Sequence, residues 1–506
     1  MGRPRTDAAD EPYLRLRWRG ETVSFDGVAR YSRGIQPEPT RGRDSPFFAW
    51  EWNGSDLAVQ NDRYGFYPLF YFQSADELAL SPSILRLAEI GVPVRVDWQA
   101  LATFLWVGNY VGDDTAFAGI RILPPNAAVV RSGSRLSVTG ARPDIRPARG
   151  LSRAGAIEGY VSCFREAVRE MPTRGAAVVP LSGGRDSRHI FLELHRQGVS
   201  DLRAVTVQYE PILETEDIRV ATDLAARASV LHTTVEVPWN TLDLERRKLR
   251  YTNLQTFEHR WILGAIEALG RQEATVYEGV AGDTLSTAWG LTPERLKALE
   301  RGDLLAVADT YLHPDGYIPV LLAGDAKREC TKDAARERIA AELRTHLNAA
   351  NPLGSFHVWN RTRRVTALAP CGLWDRVFPT WCPYLHHKVF DFLSSIPADL
   401  LLAEQYHQFH TDAILIGYPE FKDVPFSGKK SVKKPATVFS WLTACQLARF
   451  ESSLRGRRLS GGNAVWSRLL RTLVDPTYVR RAPSLLPLLT YLHALEDSLA
   501  GRLDSV

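Results

Sequence analysis

The sequence predicts an α/β protein in two parts: an N-terminal antiparallel αββα-type sandwich over residues 1–145, and a parallel-sheet domain with a helical extension over residues 151–506. Three observations predict it. The N-terminal stretch carries many short apolar runs and few helical patterns. Ala141 to Gly150 is rich in Pro, Arg and Gly and reads as a linker. Beyond it, apolar strand-like runs alternate with helical patterns, as in a parallel sheet covered by helices. At 506 residues the chain is also too long for one compact core, so two or more domains are expected.

The elements follow in order. Tyr13 to Trp18 alternates as a strand. Pro46 to Trp52, an Asn53-Gly54 turn and Leu57 to Gln60 form a hairpin. Tyr67 to Phe72 and Glu77 to Leu80 are further strands, and Ser83 to Ala88 is helical. Trp98 to Trp106 is a helix with Asp97 placed to cap it. Asn126 to Val130 and Leu136 to Val138 fit a second hairpin. After the linker come helix Ala154 to Glu170, strand Val178 to Leu181, a helix ending at Arg196, strand Leu202 to Gln208, helix Glu216 to Ala228 and strand Val230 to Val235. Glu258 to Leu269 is helix, Ala274 to Tyr277 strand, and the chain from Leu291 is mainly helical.

Composition excludes several classes. A net charge of +4 with no dense basic tract gives no groove for nucleic acid; the run Arg455, Arg457 and Arg458 reads as a solvated helix end. The 45% hydrophobic content, with 13 Trp, 17 Tyr and 20 Phe, argues for large buried faces, not disorder. Five cysteines without CxxC spacing make no zinc or iron–sulfur site and fit a reducing compartment. The polar opening residues are no signal peptide, and no apolar run is long enough to span a membrane. A cytoplasmic protein without nucleic-acid or membrane partners is expected.

The chemistry concentrates in AVVPLSGGRDSRHI, Ala177 to Ile190: a strand, a Ser-Gly-Gly turn, and a helix opening at Asp186. Unpaired N–H groups in such a turn and at a helix start suit phosphate. Ser182 and Ser187 add hydroxyls, and Gly183 and Gly184 keep side chains away from an anion. The motif is neither GxxxxGKS/T nor GxGxxG, and an ordinary strand–turn–helix joint is the plain alternative. A second strand end, Glu278-Gly279-Val280-Ala281-Gly282-Asp283, converges on the same edge of the sheet. Asp186 and Asp283 there suit Mg²⁺, which prefers carboxylate oxygens; Asp283 equally suits a helix N-cap. Gln208, at a third strand end, would frame an adenine with Val179 and Leu181.

SGGxDS resembles the pyrophosphate loop of ATP pyrophosphatases. With it, the chain resembles the asparagine synthetase family, including relatives that close β-lactam rings and lasso-peptide macrolactams. Asn61 to Tyr71 is similar to the RDxxGxxPLYY segment of the glutaminase-like domain, and Phe117 to Ile120 with Leu123 to Asn126 to its FxGI…LPPG end. Tyr277 to Leu285 stands at the SGEGSDEL segment, and Trp381 to His386 at PFLD. The resemblance implies an Ntn-hydrolase-like sandwich followed by an adenine-nucleotide α-hydrolase-like (PP-loop) domain. It implies ATP and Mg²⁺ as cofactors and adenylation of a carboxylate before amide formation. Leu181, Ser182, Gly183, Gly184, Asp186, Ser187, Gln208 and Gly279 are the nucleotide candidates. Glu216 and Asp217 match an acidic site near the phosphates. Lys429 or Lys430, after Val424 to Gly428, matches a lysine that stabilises the amide-forming transition state; a solvated lysine pair is the alternative. Arg185 and Arg188 flank the loop, facing ligand or solvent.

The departures refine the expectation. Glutamine-dependent relatives use an N-terminal cysteine nucleophile, whereas here Gly2 follows Met1 and no cysteine precedes Cys163. A degenerate domain without glutaminase activity is expected, with the amine carried on the substrate. Thr284 stands where asparagine-forming members have glutamate and β-lactam-forming members tyrosine. A threonine hydroxyl is a poor base, which leaves Glu278 and His259 as candidates. His386 replaces an aspartate; His386-His387 fits a helix start or core contact better than a metal pair, since adjacent helical residues diverge. An AMP-forming carboxylate–amine ligase closing a macrolactam on a peptide is the favoured reading. Its expected partners are a peptide or small-molecule carboxylate substrate and a pathway peptidase or leader-binding protein. A small-molecule ligase or β-lactam-type cyclase is the first alternative, and a nucleotide-binding pseudoenzyme scaffold the second.

Overall fold

The computed structural model describes residues 11–20, 22–34, 46–132, 135–208, 216–236, 241–270, 272–288, 290–313, 321–402, 407–428, 458–461, 467 and 485–501. The N-terminal part is built from β1 (Leu14–Arg19), β2 (Thr22–Gly27), β3 (Arg30–Gly34), β4 (Phe47–Trp52), β5 (Leu57–Asn61), β6 (Phe70–Gln73), β7 (Glu77–Ser81), β8 (Ile120–Ile122), β9 (Ala128–Ser132) and β10 (Arg135–Thr139). One antiparallel sheet runs β2-β1-β7-β6-β8, a second β3-β4-β5, and β9-β10 is a separate hairpin. Period-2 alternation explains the layering. Leu14, Leu16, Leu78 and Leu80 of the first sheet pack against Phe48, Trp50 and Val59 of the second. Phe70 and Ala79 point the other way, into the core that also holds α1 (Ile84–Glu89) and α2 (Trp98–Val107). Ser83 and Asp97 cap these two helices through their side chains.

Two expectations are corrected here. Glu51, Ala58 and Gln60 on the outer face of the second sheet are exposed, so among the described residues the layering is αββ, not αββα. Strands β2, β3 and β8 carried no signal in the sequence. β2 is an almost wholly exposed edge strand, and an edge facing water needs no apolar alternation.

The second part holds a parallel sheet of β11 (Ala176–Pro180), β12 (Leu202–Gln208), β13 (Leu231–Glu236), β14 (Ala274–Tyr277) and β15 (Thr380–Trp381), in the order β13-β12-β11-β14-β15. Its helices are α3 (Arg153–Glu170), α4 (Asp186–Arg196), α5 (Glu216–Arg227), α6 (Thr241–Tyr251), α7 (Arg260–Leu269) and the short α8 (Gly282–Ser286). Both faces of the sheet are covered, so its strands read as continuous apolar runs. Ala177, Val179 and Ala204 share a core with residues of α3, α4 and α5. Ala176, Val178 and Val205 share another with Leu244 of α6 and Ile262 of α7. The chain steps outward from β11 to β13, then returns to place β14 on the other side of β11. That reversal opens a crevice at the carboxyl ends of β11 and β14, the usual ligand position in such a sheet. The two-residue β15 was not expected, being too short for a periodic signal.

The described remainder is mainly helical, as expected, and it interlocks with the N-terminal part. Tyr64 stacks on Phe390 at 4.0 Å, its hydroxyl donates to Asp391, and Arg63 pairs with the same carboxylate. The stretches resembling family motifs around Asn61 and Pro124 touch each other. Asn61 donates to the Pro124 carbonyl at 2.7 Å, and Gly65, at φ 62°, passes so close to Pro125 that a Cβ would lie 3.0 Å from it. Their role here is to fold the turn. No described helix is long and apolar enough to cross a membrane.

Candidate functional site

The turn between β11 and α4 sits at the crevice. Leu181 pairs its N–H with Val205 and its carbonyl with the Thr206 hydroxyl, and its side chain is packed in the core with Val179. These two residues support the turn from beneath; their side chains offer no face to a base. Ser182 donates its N–H to the Ser187 hydroxyl at 3.0 Å and receives the Gly184 N–H on its own hydroxyl at 3.2 Å. The Gly183 N–H donates to Asp217 Oδ1 at 3.1 Å. The Ser182, Gly183 and Gly184 N–H groups are thus engaged within the protein, which corrects the expectation of unpaired donors in the turn itself. No side chain caps α4. Gln208 ends β12 next to β11, opposite Glu236 in register.

Two aspartates meet although they lie 97 residues apart in sequence. Asp186 opens α4, Asp283 is in the first turn of α8, and the Asp283 N–H donates to Asp186 Oδ2 at 3.0 Å. Glycines permit this approach. A Cβ on Gly282 would lie 2.7 Å from Asp186 Cγ, and one on Gly279 3.0 Å from Asp186 Cβ. Between them Ala281 takes φ 74°, a left-handed conformation costing about 1 kcal/mol for a residue with a Cβ. Burial among protein atoms, and then the charge of Asp283, raise the Asp186 carboxyl well above its ordinary range; burial raises Asp283 as well. Yet Asp283 is exposed and the Asp186 side chain is 26% accessible. Carboxyls surrounded by protein but open on one side lie on the floor of a cleft. Among the described residues no group of three or more His, Cys, Asp or Glu could hold a metal alone. Two carboxylates fit a hard cation that takes its remaining oxygens from a ligand such as a phosphate chain.

Glu278 follows β14, and burial pushes its carboxyl up to about 7, against the Trp374 indole and the Gly279 N–H, which favour its anion. Its Oε2 is buried without a hydrogen-bond partner. A carboxyl that titrates near neutrality suits proton transfer. Thr284 is occupied otherwise: its hydroxyl donates to Asp283 Oδ1 at 3.1 Å and lies 3.0 Å from the Thr362 hydroxyl. His259 is half-buried at φ 73°, its Nε2 is bonded to the Val365 carbonyl, and the protein atoms around it lower it to about 4.

A segment from another part of the chain straps the turn. Buried Arg188 donates to the Val424 carbonyl at 3.0 Å and to that of Pro425 at 2.5 Å. Arg188 and Arg185 lie over the Phe426 ring at 4.0 and 4.7 Å. Ser427 donates its N–H to the Gly183 carbonyl at 2.9 Å and its hydroxyl to Asp217 at 2.6 Å; the Gly428 N–H reaches Glu216 at 3.1 Å. Arg188 is therefore buried and does not point into solvent, and Arg185, over the same ring, also donates to the Thr411 hydroxyl at 2.7 Å. Glu216 and Asp217 stand beside the turn as expected. Lys429 and Lys430 lie outside the described residues, but Gly428 ends on the turn. His386 caps a helix and its Nε2 meets Glu170 at 3.1 Å, a structural contact as expected.

Sequence reasoning missed several neighbours. A wide helical stretch, Val358–Thr366, brings Thr362 to Thr284 and the Arg361 charge to Asp283, where it favours the carboxylate. Arg361 also pairs with Glu258 at 2.5 Å. Tyr384 and His410 reach Asp186 from below. A single charged or aromatic residue inside a helical pattern gives no signal for such a role. Compared with known proteins, the chain matches no family model and no curated sequence.

Proposed function

We propose that the protein is an ATP-dependent, AMP-forming carboxylate–amine ligase. The observation that carries this reading is the convergence, at the reversal point of the parallel sheet, of the Ser182–Ser187 turn with the Asp186–Asp283 pair. A phosphate chain would lie at the start of α4, which no side chain caps, and take the Gly183 N–H in place of Asp217; Ser182, Gly183, Gly184, Ser187 and Gly279 would line it. Asp186 and Asp283 would hold Mg²⁺, which neutralises phosphate charge when bound. Gln208, at the end of β12, would meet the base. A substrate carboxylate oxygen attacks the α-phosphorus and pyrophosphate leaves. The amine then attacks the acyl carbon, and AMP leaves with the oxygen. Glu278, with a carboxyl near 7, is positioned by its chemistry to take the amine proton. Lys429 or Lys430, next to the anchored Gly428, would stabilise the departing charge.

The substrate proposed is a peptide whose Asp or Glu side chain is closed onto its own N-terminal amine. An amine held on the same molecule at high effective concentration needs less help from a base, which agrees with Thr284 being engaged by Asp283. A chain of this kind acts without glutaminase activity, with a peptide or small-molecule carboxylate as partner. The test is ATP–pyrophosphate exchange. Exchange dependent on a carboxylate substrate supports the reading, and Asp186→Asn or Asp283→Asn should each lower it at least about 100-fold while the melting temperature holds. Nucleotide binding without exchange would leave a scaffold instead. Loss of one water from a linear peptide, with AMP formed, would fix the macrolactam; AMP formed only with a small carboxylic acid would exclude it.

A further inference from the structure

Beneath the carboxylate pair lies a buried polar hub that the proposed chemistry does not use. His410, from the helix Gln408–Gly417, is fully buried. Its Nδ1 lies 2.8 Å from Ser286 Oγ of α8 and 3.4 Å from Asp186 Oδ1 of α4. Its Nε2 lies 3.0 Å from the Tyr160 hydroxyl of α3. Tyr384 donates its own hydroxyl proton to the Asp186 main-chain carbonyl at 3.0 Å.

Proton bookkeeping assigns the tautomer. Ser286 Oγ lies 2.6 Å from the Gly282 carbonyl, which can only accept, so the one hydroxyl proton of Ser286 goes there. Ser286 must then accept from His410, and the His410 proton sits on Nδ1. Nε2 is left as an acceptor, with the Tyr160 hydroxyl at 3.0 Å and His189 Nδ1 at 3.3 Å facing it. The N–H that faces Asp186 is therefore fixed by Ser286 on one side of the ring and Tyr160 on the other.

We propose that His410 is the positioning residue of the Asp186–Asp283 pair. The Nδ1–H that His410 gives to Ser286 lies beside Asp186 Oδ1, 3.4 Å away, and Ser286 belongs to the same helical turn as Asp283, so one ring sets the orientation of the first carboxylate relative to the second. It touches neither substrate nor metal. The inference rests on the reading of the two aspartates as cation ligands.

The test follows from the tautomer. Asn places an amide N–H near the position of Nδ1, whereas Gln places its amide near Nε2. Mn²⁺ binding is measured by electron paramagnetic resonance with a non-hydrolysable ATP analogue present. His410→Gln should weaken Mn²⁺ about 10-fold or more, as for other residues that orient a metal ligand, while His410→Asn stays within about threefold of wild type. Equal melting temperatures for the two variants would set aside a merely structural effect. Ser286→Ala, which frees the Nδ1–H, should weaken Mn²⁺ several-fold and serves if the His410 variants do not fold. Wild-type Mn²⁺ binding in His410→Gln or Ser286→Ala, or equal weakening in the Asn and Gln variants, overturns the proposal. Absence of Mn²⁺ binding by the wild-type protein overturns the functional reading itself and this inference with it.

Discussion

At the scale of single residues, Glu278 is the group whose chemistry can be read most directly from its surroundings. Its folded value, about 7, stands above the ordinary 4.5 because burial penalises the anion. A carboxyl raised in the folded state adds stability that is fully present below its unfolded value and is lost as pH rises through the folded one. Glu278→Gln should therefore be more stable than wild type at pH 8, by about 3 kcal/mol in urea denaturation, with the gap closing towards pH 4.5. If Glu278 takes the amine proton, kcat/KM should also rise with pH through about 7, and the variant should lose that limb. A variant less stable than wild type at pH 8 would show that the carboxylate is well solvated or paired.

At the scale of elements, the strap Val424–Gly428 is held by contacts from two others, α4 and α5. Phe426 lies under the guanidinium groups of Arg185 and Arg188, and Ser427 and Gly428 are bonded to the turn and to α5. Each cation–ring contact contributes about 0.5–2 kcal/mol. Phe426→Ala removes both and should speed proteolytic cleavage within residues 422–428 about tenfold. Because the strap leads directly into Lys429 and Lys430, pyrophosphate exchange should fall as well, with the melting temperature little changed. Cleavage at the wild-type rate would show that the backbone bonds of Ser427 and Gly428 suffice.

At the scale of the whole molecule, one hydrophobic core holds residues from both parts of the chain, Tyr64 and Phe66 beside Phe390 and Leu393 among them. Arg363 and Arg364, both buried, extend this union. Arg363 donates to the Gly65 and Leu123 carbonyls, and Arg364 to those of Gly112 and Asp114 and to Gln255. They adjoin Arg361 and Thr362, which face α8, so the N-terminal part anchors the stretch that reaches the site. Arg364→Met strands three acceptors, Gln255 Oε1 buried and the Gly112 and Asp114 carbonyls half-buried, and should cost about 3 kcal/mol in urea denaturation. A cost under about 1 kcal/mol would mean that water replaces the guanidinium.

The sequence by itself determined what depends on near neighbours. The Ser182–Ser187 turn, the strands β12 and β14, the hairpin around Asn53-Gly54 and the cap at Asp97 follow from periodicity and turn chemistry within a few residues. Asp186 and Asp283 could be paired from sequence because both follow apolar strands of one parallel sheet, whose carboxyl ends share an edge. Tertiary structure alone decided the rest. His410 lies 124 residues from Ser286, and Arg188 lies 236 from Val424. A histidine or arginine in an amphipathic helix carries no mark of which distant group it will meet. Edge strands such as β2, and the exposed outer face that left the sandwich without its fourth layer, escaped for a related reason. The sequence pattern reports which side chains leave water, not which element covers them.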